Sequence, residues 1–171
     1  MPSNVEIKAR VRDFAALSDR ARQLSDTEVR ILPQTDTFFK IAAGRLKLRE
    51  LDSGPAQLIY YDRPDQDGPK RSDYVIFETS DPRALKSVLT QALGIRGQVN
   101  KVRHLYTIGQ TRIHLDEVRG LGDFMELEVV LQPGQSDDDG RKIAEELISR
   151  LKIDRGDLLE AAYIDLLEQA A

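Results

Sequence analysis

Residues 44–50, GRLKLRE, place a leucine between successive basic residues. Strict alternation with a period of two is typical of a β-strand that has one apolar face and one polar face. Residues 5–12, VEIKARVR, follow the same rule, because Val5, Ile7 and Ala9 alternate with charged neighbours. Both stretches therefore predict strands of a sheet in which only one face is apolar.

Similar patterns along the chain predict eight strands and four helices. The strands are expected at 5–12, 34–41, 44–51, 57–63, 72–78, 99–108, 111–118 and 124–131. The helices are expected at 13–24, at 80–94, from 137 to about 151, and at 158–167. Short turns join many of the strands, which favours antiparallel pairing. The prediction is an α+β fold, an antiparallel sheet or barrel with flanking helices, in a single domain that spans residues 1–171.

The composition excludes several kinds of site. The 171 residues include no cysteine and only two histidines, which excludes disulfides, thiolate chemistry and a three-histidine zinc site within one chain. Any metal is therefore expected to be a hard cation on carboxylates. With 25 basic and 29 acidic residues, the net charge of −4 argues against nucleic-acid or membrane partners unless positive charge is gathered in one place. Because the chain shows neither a bilayer-spanning apolar run nor a secretory stretch, a cytoplasmic location is expected.

Whole strands of the predicted sheet carry charges of one sign. Arg45, Lys47 and Arg49 share one face, whereas Glu126 and Glu128 share another. One interpretation is the solvated face of an open sheet, where charged residues are routine. Like charges two residues apart repel each other, however, and a curved or closed sheet would direct them into one shared cavity. A row of cations beside a carboxylate cluster suits a polyphosphate together with a divalent metal ion.

Several segments of the chain resemble the CYTH superfamily. They are Val5-Glu6-Ile7-Lys8, Gly44 to Glu50, Lys101-Val102-Arg103, the pair Arg112 and Asp116, and Glu126-Leu127-Glu128. The resemblance extends from about residue 4 to residue 131, and the helices that follow are compatible with it. Members of this superfamily include class IV adenylate cyclases, thiamine triphosphatases and inorganic triphosphatases.

The resemblance implies a triphosphate tunnel, which is an antiparallel eight-stranded β-barrel whose lumen holds a polyphosphate and a divalent metal ion. It implies substrate contacts from basic residues: Lys8, Arg45, Lys47, Arg49, Lys101, Arg103 and Arg112. Of these, Lys8, Lys47 and Arg49 are the candidate catalytic residues. It also implies that Mg²⁺ or Mn²⁺ is held by acidic residues: Glu6, Asp116, Glu126 and Glu128.

One residue departs from the pattern of the superfamily. The amino-terminal Glu-x-Glu-x-Lys motif falls on Asn4, Glu6 and Lys8, so that an amide replaces the first carboxylate. An amide oxygen can coordinate a metal ion but brings no charge. The departure therefore bears on the affinity or the number of metal ions and leaves the phosphate contacts unchanged.

Several other side chains have two interpretations. His114 could protonate a leaving group or contact substrate, or it could be a hydrogen-bonded structural histidine. Lys70 and Arg71 could join the basic residues of the site or belong to a loop. His104 is expected on the opposite face from His114, with a structural role. No functional role is predicted for Tyr60, Tyr61 and Tyr106, because aromatic residues in strands usually serve packing.

The resemblance implies an enzyme that acts on a triphosphate such as ATP, thiamine triphosphate or inorganic triphosphate. Two reactions stay open, which are cyclisation of ATP to cyclic AMP and pyrophosphate, and hydrolysis of a terminal phosphate. The alternative is a polyphosphate- or nucleotide-binding module without turnover, because Asn4 could weaken the metal site. A structural sheet protein with a charged outer face is the remaining hypothesis. The fold is also compatible with a homodimer, by analogy alone.

Overall fold

The structure is a computed structural model that describes residues 2–66 and 68–171. The strands among these residues are β1 (Ser3–Arg10), β2 (Arg30–Phe39), β3 (Arg45–Leu51), β4 (Ala56–Asp62), β5 (Lys70–Thr79), β6 (Ile95–Ile108), β7 (Thr111–Val118), β8 (Gly122–Val130) and β9 (Leu158–Leu159). The α-helices are α1 (Phe14–Leu24), α2 (Pro82–Leu93), α3 (Asp137–Arg150) and α4 (Tyr163–Ala170). None of the helices in these two ranges is long and apolar enough to cross a membrane.

Strands β1 to β8 form one closed antiparallel barrel. Their order around it is β5-β4-β3-β2-β6-β7-β8-β1, and β1 closes the ring by pairing with β5. The closing pairs run from Ser3 opposite Asp73 to Glu6 opposite Lys70. β9 extends the same edge of β1 by two further residue pairs. The predicted eight-stranded antiparallel barrel with flanking helices is therefore confirmed.

The main hydrophobic core lies outside the barrel, between its wall and two of the helices. Ile7 of β1, Ile113 of β7 and Leu127 of β8 are buried there. Leu17 of α1 and Leu147 of α3 belong to the same buried cluster. Because successive side chains of a strand point to opposite faces, the residues between these apolar positions point into the lumen. The alternation in the sequence thus places apolar side chains beneath the helices and charged side chains inside the barrel.

The two ends of the barrel differ. At one end α4 packs against the strands, where Tyr163 and Ile164 form a second buried cluster with Phe38 and Val99. β2 runs from this end, at Phe38, to the opposite end, where Arg30 is exposed. We call the end at Tyr163 the floor of the lumen and the end at Arg30 its mouth. The inner face of β2 therefore leads from a covered floor to an accessible mouth.

The last helix begins later than the sequence predicts. A helix is expected over 158–167, but Leu158 and Leu159 form β9 and α4 begins at Tyr163. The reason is that β1 extends beyond its pairing with β5, and β9 provides backbone hydrogen-bond partners at that edge. Asp165 then accepts a hydrogen bond from the backbone N–H of Ala162, which caps α4.

Strands β2 and β6 also begin earlier than the sequence predicts. β2 begins at residue 30 rather than 34, and β6 begins at residue 95 rather than 99. The two strands pair with each other along the whole length of β2, so the additional residues of each strand pair with residues of the other. Tertiary pairing of this kind overrides the local pattern from which strand ends are predicted.

The packing of α3 on the barrel predicts the effect of one substitution. A Cβ atom at the buried Gly140 would lie 2.6 Å from Cγ2 of Val5 and 2.7 Å from Cδ2 of Leu131. We therefore expect Gly140→Ala to destabilise the protein by about 1–3 kcal/mol, because both neighbours must move. The measurement is the melting temperature of Gly140→Ala, with Lys142→Ala, a change at an exposed position of α3, as the control. Equal melting temperatures for the two variants would contradict this packing.

A candidate ligand site in the barrel lumen

The lumen contains a cavity of about 340 Å³ that is lined by all eight barrel strands. Its described lining carries eight basic side chains, which are Lys8, Arg30, Lys47, Arg49, Arg63, Lys101, Arg103 and Arg112. The described lining also carries four carboxylates, which are Glu6, Asp36, Glu126 and Glu128. With all of these groups ionised, positive charges exceed negative charges by four, although the whole chain has a net charge of −4. Such a cavity attracts a small polyanion.

A buried carboxylate organises one side of the cavity, which we call the basic wall and which consists of Lys47, Arg49, Lys101 and Arg103. Asp36 lies on β2, between the strands that carry these cations, and is 1% exposed. Arg49 donates two hydrogen bonds of 2.8 Å to its carboxylate. Lys101 donates another of 2.9 Å, and Nζ of Lys47 lies 3.1 Å away. Asp36 thereby fixes the positions of three cations before any ligand binds.

Burial shifts the protonation of the basic wall. It lowers the pKa of Lys101 to about 7 and that of Lys47 to about 8, although the nearby Asp36 opposes both shifts. Burial also opposes the ionisation of Asp36, but its three cations outweigh this and hold the pKa of the carboxyl well below its usual range. An anion that enters the lumen favours the protonated lysines. The basic wall can therefore gain positive charge when such a ligand binds.

A second buried carboxylate positions Arg103. Its guanidinium donates hydrogen bonds of 2.8 and 2.7 Å to Asp116. The phenol of Tyr163 donates another hydrogen bond, of 2.8 Å, to the same carboxylate. Asp116 is 0% exposed and is not among the residues that line the cavity. This geometry suits Asp116 to orienting Arg103.

Three carboxylates gather on the other side of the lumen, and we call Glu6, Glu126 and Glu128 the acidic pole. They belong to β1 and β8, which lie three or four strands away from β2 and β3 around the ring. Each has a basic neighbour, at 3.1 Å for Glu6 and Arg63, 3.4 Å for Glu126 and Lys8, and 2.9 Å for Glu128 and Arg112. The lumen thus holds an acidic pole and a basic wall, which meet where Arg103 lies 3.8 Å from Glu126.

The carboxylates of the acidic pole influence one another. Burial raises the pKa of Glu6, and repulsion by Glu128 and Glu126 adds to this rise, although Arg63 opposes it. Burial also opposes the ionisation of Glu126, but Lys8 helps to hold the pKa of this carboxyl well below its usual range. A divalent cation among these groups would relieve their repulsion and use oxygen donors, which hard cations prefer.

Three buried polar atoms beside the acidic pole have no hydrogen-bond partner among the described residues. Oδ1 of Asn4 and Nδ1 of His114 could bind a cation, whereas Nε of Arg63 is a donor only. Asn4 precedes Glu6 by two residues on the inner face of β1, and His114 lies opposite Glu126 in the register of β7 and β8. Burial lowers the pKa of His114 to about 4, so its imidazole is neutral near pH 7. Free oxygen and nitrogen donors next to three carboxylates fit a divalent metal ion.

Tyr163 covers the floor of the cavity. Its ring centroid lies 4.0 Å from Nζ of Lys8, close enough for a cation–π interaction. Arg45 lies at the same end but outside the lining of the cavity. It donates hydrogen bonds of 3.0 Å to Asp65 and 2.9 Å to Asp165 of α4. Arg45 therefore ties the C-terminal helix to the barrel.

The lining near the mouth includes aliphatic side chains. Leu32 lies two residues from Arg30 on β2, and Leu105 lies opposite Arg30 in the register of β2 and β6. Leu51 and Ile76 also line the cavity. This part of the lumen can accept an apolar or aromatic group attached to a polyanion.

The structure brings together nine of the eleven residues that the sequence and the resemblance single out for the site. Those that line the cavity are Glu6, Lys8, Lys47, Arg49, Lys101, Arg103, Arg112, Glu126 and Glu128. The other two, Arg45 and Asp116, contact neighbouring side chains at its border. Because proximity alone does not assign a role, the roles of all eleven stay predictions.

Three other candidates from the sequence are not among the residues that line the cavity. Nζ of Lys70 donates hydrogen bonds to the backbone carbonyls of Gln66 and Glu160. Arg71 is exposed and does not line the cavity. His104 is not in the cavity lining, and its Nε2 lies 2.9 Å from an oxygen of Glu117. None of these three basic residues joins the basic wall.

Sequence reasoning missed several residues that line the cavity, among them Arg30, Asp36, Arg63 and Tyr163. Asp36 follows Gln34 on the same face of its strand, so its polar position was visible in the alternation. Arg63 is the last residue of the predicted strand 57–63, and a spacing of two residues places it on the same face as the lining residues Ile59 and Tyr61. For Tyr163 the sequence holds no comparable signal, because its place depends on β9 and the floor.

The network around Asp36 predicts a loss of stability when its charge is removed. We expect Asp36→Asn to destabilise the protein by about 3–5 kcal/mol, because Lys47, Arg49 and Lys101 lose a shared buried counter-ion. Inorganic triphosphate should raise the melting temperature of this variant more than that of the wild type, since it restores negative charge. Asp19→Asn, at an exposed position, is the control. A melting temperature unchanged by Asp36→Asn would contradict the network.

A comparison with protein-family models identifies one match. Residues 3–163 match the model of the CYTH domain. None of the curated proteins matches the chain. The match covers every barrel strand and ends at the tyrosine that covers the floor.

Solved structures with the same fold come from distant organisms. The PH1012 protein from Pyrococcus horikoshii OT3 has a TM-score of 0.86 and 24% identity, over 95% of this chain and 98% of that one. A proposed adenylate cyclase from Vibrio parahaemolyticus has a TM-score of 0.80 and 20% identity, over 96% and 97%. HpAC1 from Hippeastrum, described as having a dominant triphosphatase activity, has a TM-score of 0.67 and 16% identity, over 99% and 96%. At these identities the likeness shows the fold alone.

Proposed function

The chain belongs to the CYTH domain family, and we propose that it is a divalent-cation-dependent enzyme that hydrolyses the terminal phosphate of a triphosphate bound in the barrel lumen. The observation that supports this function best is that one cavity holds both the basic wall and the acidic pole, with eight basic and four acidic side chains on its described lining. The basic wall fits the phosphate oxygens, and the acidic pole fits the cation that accompanies them.

The basic wall keeps donors free for phosphate while it is bound to Asp36. Arg49 uses two of its N–H donors on Asp36, and Lys101 uses one of its three. The remaining donors can bind phosphate oxygens, so the substrate would add to this network and leave its ion pairs in place. Arg103, which Asp116 orients, provides a further cation. The substrate would thus bind to cations that already have fixed positions.

The acidic pole would hold the divalent cation, Mg²⁺ or Mn²⁺, on Glu6, Glu126 and Glu128. When bound, the cation supplies positive charge beside the phosphate oxygens on which negative charge develops. Lys8 brings a further cation to the border of this pole, since its Nζ lies 3.4 Å from Glu126. Together these groups can neutralise both ends of a short polyphosphate.

In the proposed reaction, a water molecule attacks the terminal phosphorus. A bond forms between the terminal phosphorus and the water oxygen, and the bond from that phosphorus to the bridging oxygen breaks. The products are orthophosphate and a diphosphate, and the released proton passes to solvent. Fixed cations can stabilise the charge that moves onto the bridging oxygen, and little covalent catalysis is required. Lys8, Lys47 and Arg49 are the proposed catalytic residues, because an acidic group fixes each of them near the cavity.

The activity described for one structural neighbour supports hydrolysis as the first reaction to test. HpAC1 from Hippeastrum is described as having a dominant triphosphatase activity. Because only the fold is shared at that identity, the organic part of the substrate of this chain has to be identified by experiment.

Cyclisation of ATP is the second candidate, and the aliphatic mouth favours it. Leu32, Leu51 and Leu105 can accept the base of a nucleotide whose phosphates lie on the basic wall. In this reaction the ribose 3′-hydroxyl attacks the α-phosphorus and pyrophosphate leaves. Both reactions use the same charged groups, so their products distinguish them.

The experiment that tests the proposed function is an incubation of purified protein with inorganic triphosphate, ATP and thiamine triphosphate, each with Mg²⁺, Mn²⁺ or a chelator. Orthophosphate released only with metal would support hydrolysis and identify the substrate. Cyclic AMP with pyrophosphate would support the second candidate. If no product forms while triphosphate still raises the melting temperature, the barrel is a binding module, and Asn4→Glu is the first variant to assay.

The acidic pole and the basic wall predict different kinetic defects. We expect Glu126→Gln to lower kcat by about 100-fold or more with little change in triphosphate affinity, because it weakens the cation site. Lys47→Ala should lower kcat and also weaken the binding of triphosphate, since it removes a phosphate contact. Glu117→Gln, at a side chain that is 53% exposed, is the control. Full activity of Glu126→Gln would show that the reaction does not need the acidic pole.

The protonation of the basic wall predicts a pH dependence of binding. Because the pKa of Lys101 is about 7 and that of Lys47 about 8, both lose positive charge as the pH rises above these values. We expect inorganic triphosphate, with chelator present, to bind at least about tenfold more weakly at pH 8.5 than at pH 6.5. Titration calorimetry measures this. The arginine of Lys101→Arg stays charged over this range, so triphosphate binding to this variant should depend less on pH than binding to the wild type. An identical pH dependence in the wild type and the variant would contradict the assignment of the effect to Lys101.

A further inference from the structure

His114 occupies a place in the lumen that the proposed hydrolysis does not use. It lies on the inner face of β7, is 4% exposed and lines the cavity. The register of the sheet places it opposite Glu126 of β8, with Leu105 of β6 on its other side. The imidazole is therefore buried beside the acidic pole and next to an aliphatic neighbour.

Both ring nitrogens of His114 lack a hydrogen bond that would explain this position. Nδ1 is buried and has no partner among residues 2–66 and 68–171. Nε2 lies 3.9 Å from Oε2 of Glu128, which is beyond hydrogen-bond distance. One cation can bond to only one of the two ring nitrogens, and Nε2 is the one that lies near a carboxylate of the acidic pole.

His114, Glu126 and Glu128 provide a compact set of donor atoms. One ligand atom from each of the three lies within 4.8 Å of the others. Three ligands bonded to one small cation at about 2.1 Å are roughly 3.0–3.6 Å apart. The three side chains would therefore have to approach one another by up to about 1–2 Å to bind the same ion.

We propose that His114 is a nitrogen ligand of the cation at the acidic pole, and that this ligand makes the site select Mn²⁺ or a similar transition-metal ion over Mg²⁺. The inference rests on the cation-binding part of the proposed function and specifies the class of metal. Mg²⁺ strongly prefers oxygen ligands, whereas imidazole nitrogen suits first-row transition metals. Mn²⁺ accepts both kinds of donor. An imidazole beside the carboxylates of the acidic pole therefore discriminates between the two ions.

The direct test is electron spin-echo envelope modulation of untagged protein loaded with one equivalent of Mn²⁺, without substrate. This measurement detects the magnetic coupling of a bound ¹⁴N nucleus to the manganese ion. The chain has only two histidines, and His104 contacts Glu117 outside the cavity lining. We expect a nitrogen coupling in the wild type that His104→Gln retains and that both His114→Gln and Glu126→Gln remove.

Metal titrations provide the second readout. We expect His114→Gln to weaken Mn²⁺ binding by about tenfold or more and Mg²⁺ binding by less than about threefold. Equal losses for the two ions, or Mn²⁺ bound to the wild type without nitrogen coupling, would overturn the proposal. The wild-type spectrum decides this even if the variant fails to fold.

The outcomes separate this inference from the proposed function. Nitrogen coupling without any turnover of triphosphate would support the ligand and contradict the hydrolase. Turnover that needs Mn²⁺ but shows no nitrogen coupling would contradict the ligand alone. If the wild type binds no Mn²⁺, with or without inorganic triphosphate, the ligand assignment is wrong, and turnover in the presence of chelator decides the function separately.

Discussion

Buried cations in the lumen depend on carboxylates that hold them in place. Asp36 binds three of them, and Asp116 binds Arg103, so that the basic wall exists before a ligand arrives. A buried charge without such a partner would destabilise the fold by several kcal/mol. The same pairs reduce the reorganisation that a polyanion requires on binding, because the donors already have fixed directions. The stability of the barrel and its readiness for a ligand therefore have one physical origin.

A charged lumen also determines where the hydrophobic core lies. Since most inner positions of the strands are polar, most of their apolar positions face outward and have to be covered by helices. Leu17 of α1 and Leu147 of α3 cover Ile7 and its neighbours. At the floor, Tyr163 of α4 links the apolar packing to the charged lumen, because its ring packs in an apolar cluster and its hydroxyl donates a hydrogen bond to Asp116. The C-terminal helix is thus part of the support for the site.

The sequence predicts which residues face the lumen better than it predicts how deep they lie. A period of two assigns Arg45 to the same face as Lys47, and this is correct, but the period does not indicate that Arg45 lies beyond the floor beside α4. The period also does not reveal that Arg103 and Tyr163 already occupy the oxygens of Asp116. These facts depend on where the last helix packs.

Asp36 illustrates a different limit of sequence analysis. Its importance follows from the strand order β3-β2-β6, which brings Lys101 to the same carboxylate as Arg49 although 52 residues separate them in the chain. Local patterns contain no information on such a pairing. The resemblance, by contrast, identifies segments spread over the chain, and this is why every residue of the acidic pole and the basic wall could be named before the fold was known.

We propose that one lumen binds the phosphates on its basic wall and a divalent cation at its acidic pole. A crystal structure with Mn²⁺ and a triphosphate analogue that cannot be hydrolysed tests this most directly, because anomalous scattering locates the manganese. We expect manganese bonded to Glu126 and Glu128, with phosphate oxygens within hydrogen-bond distance of Arg49 and Lys101. Phosphates bound outside the barrel, or manganese bound away from the acidic pole, would contradict it.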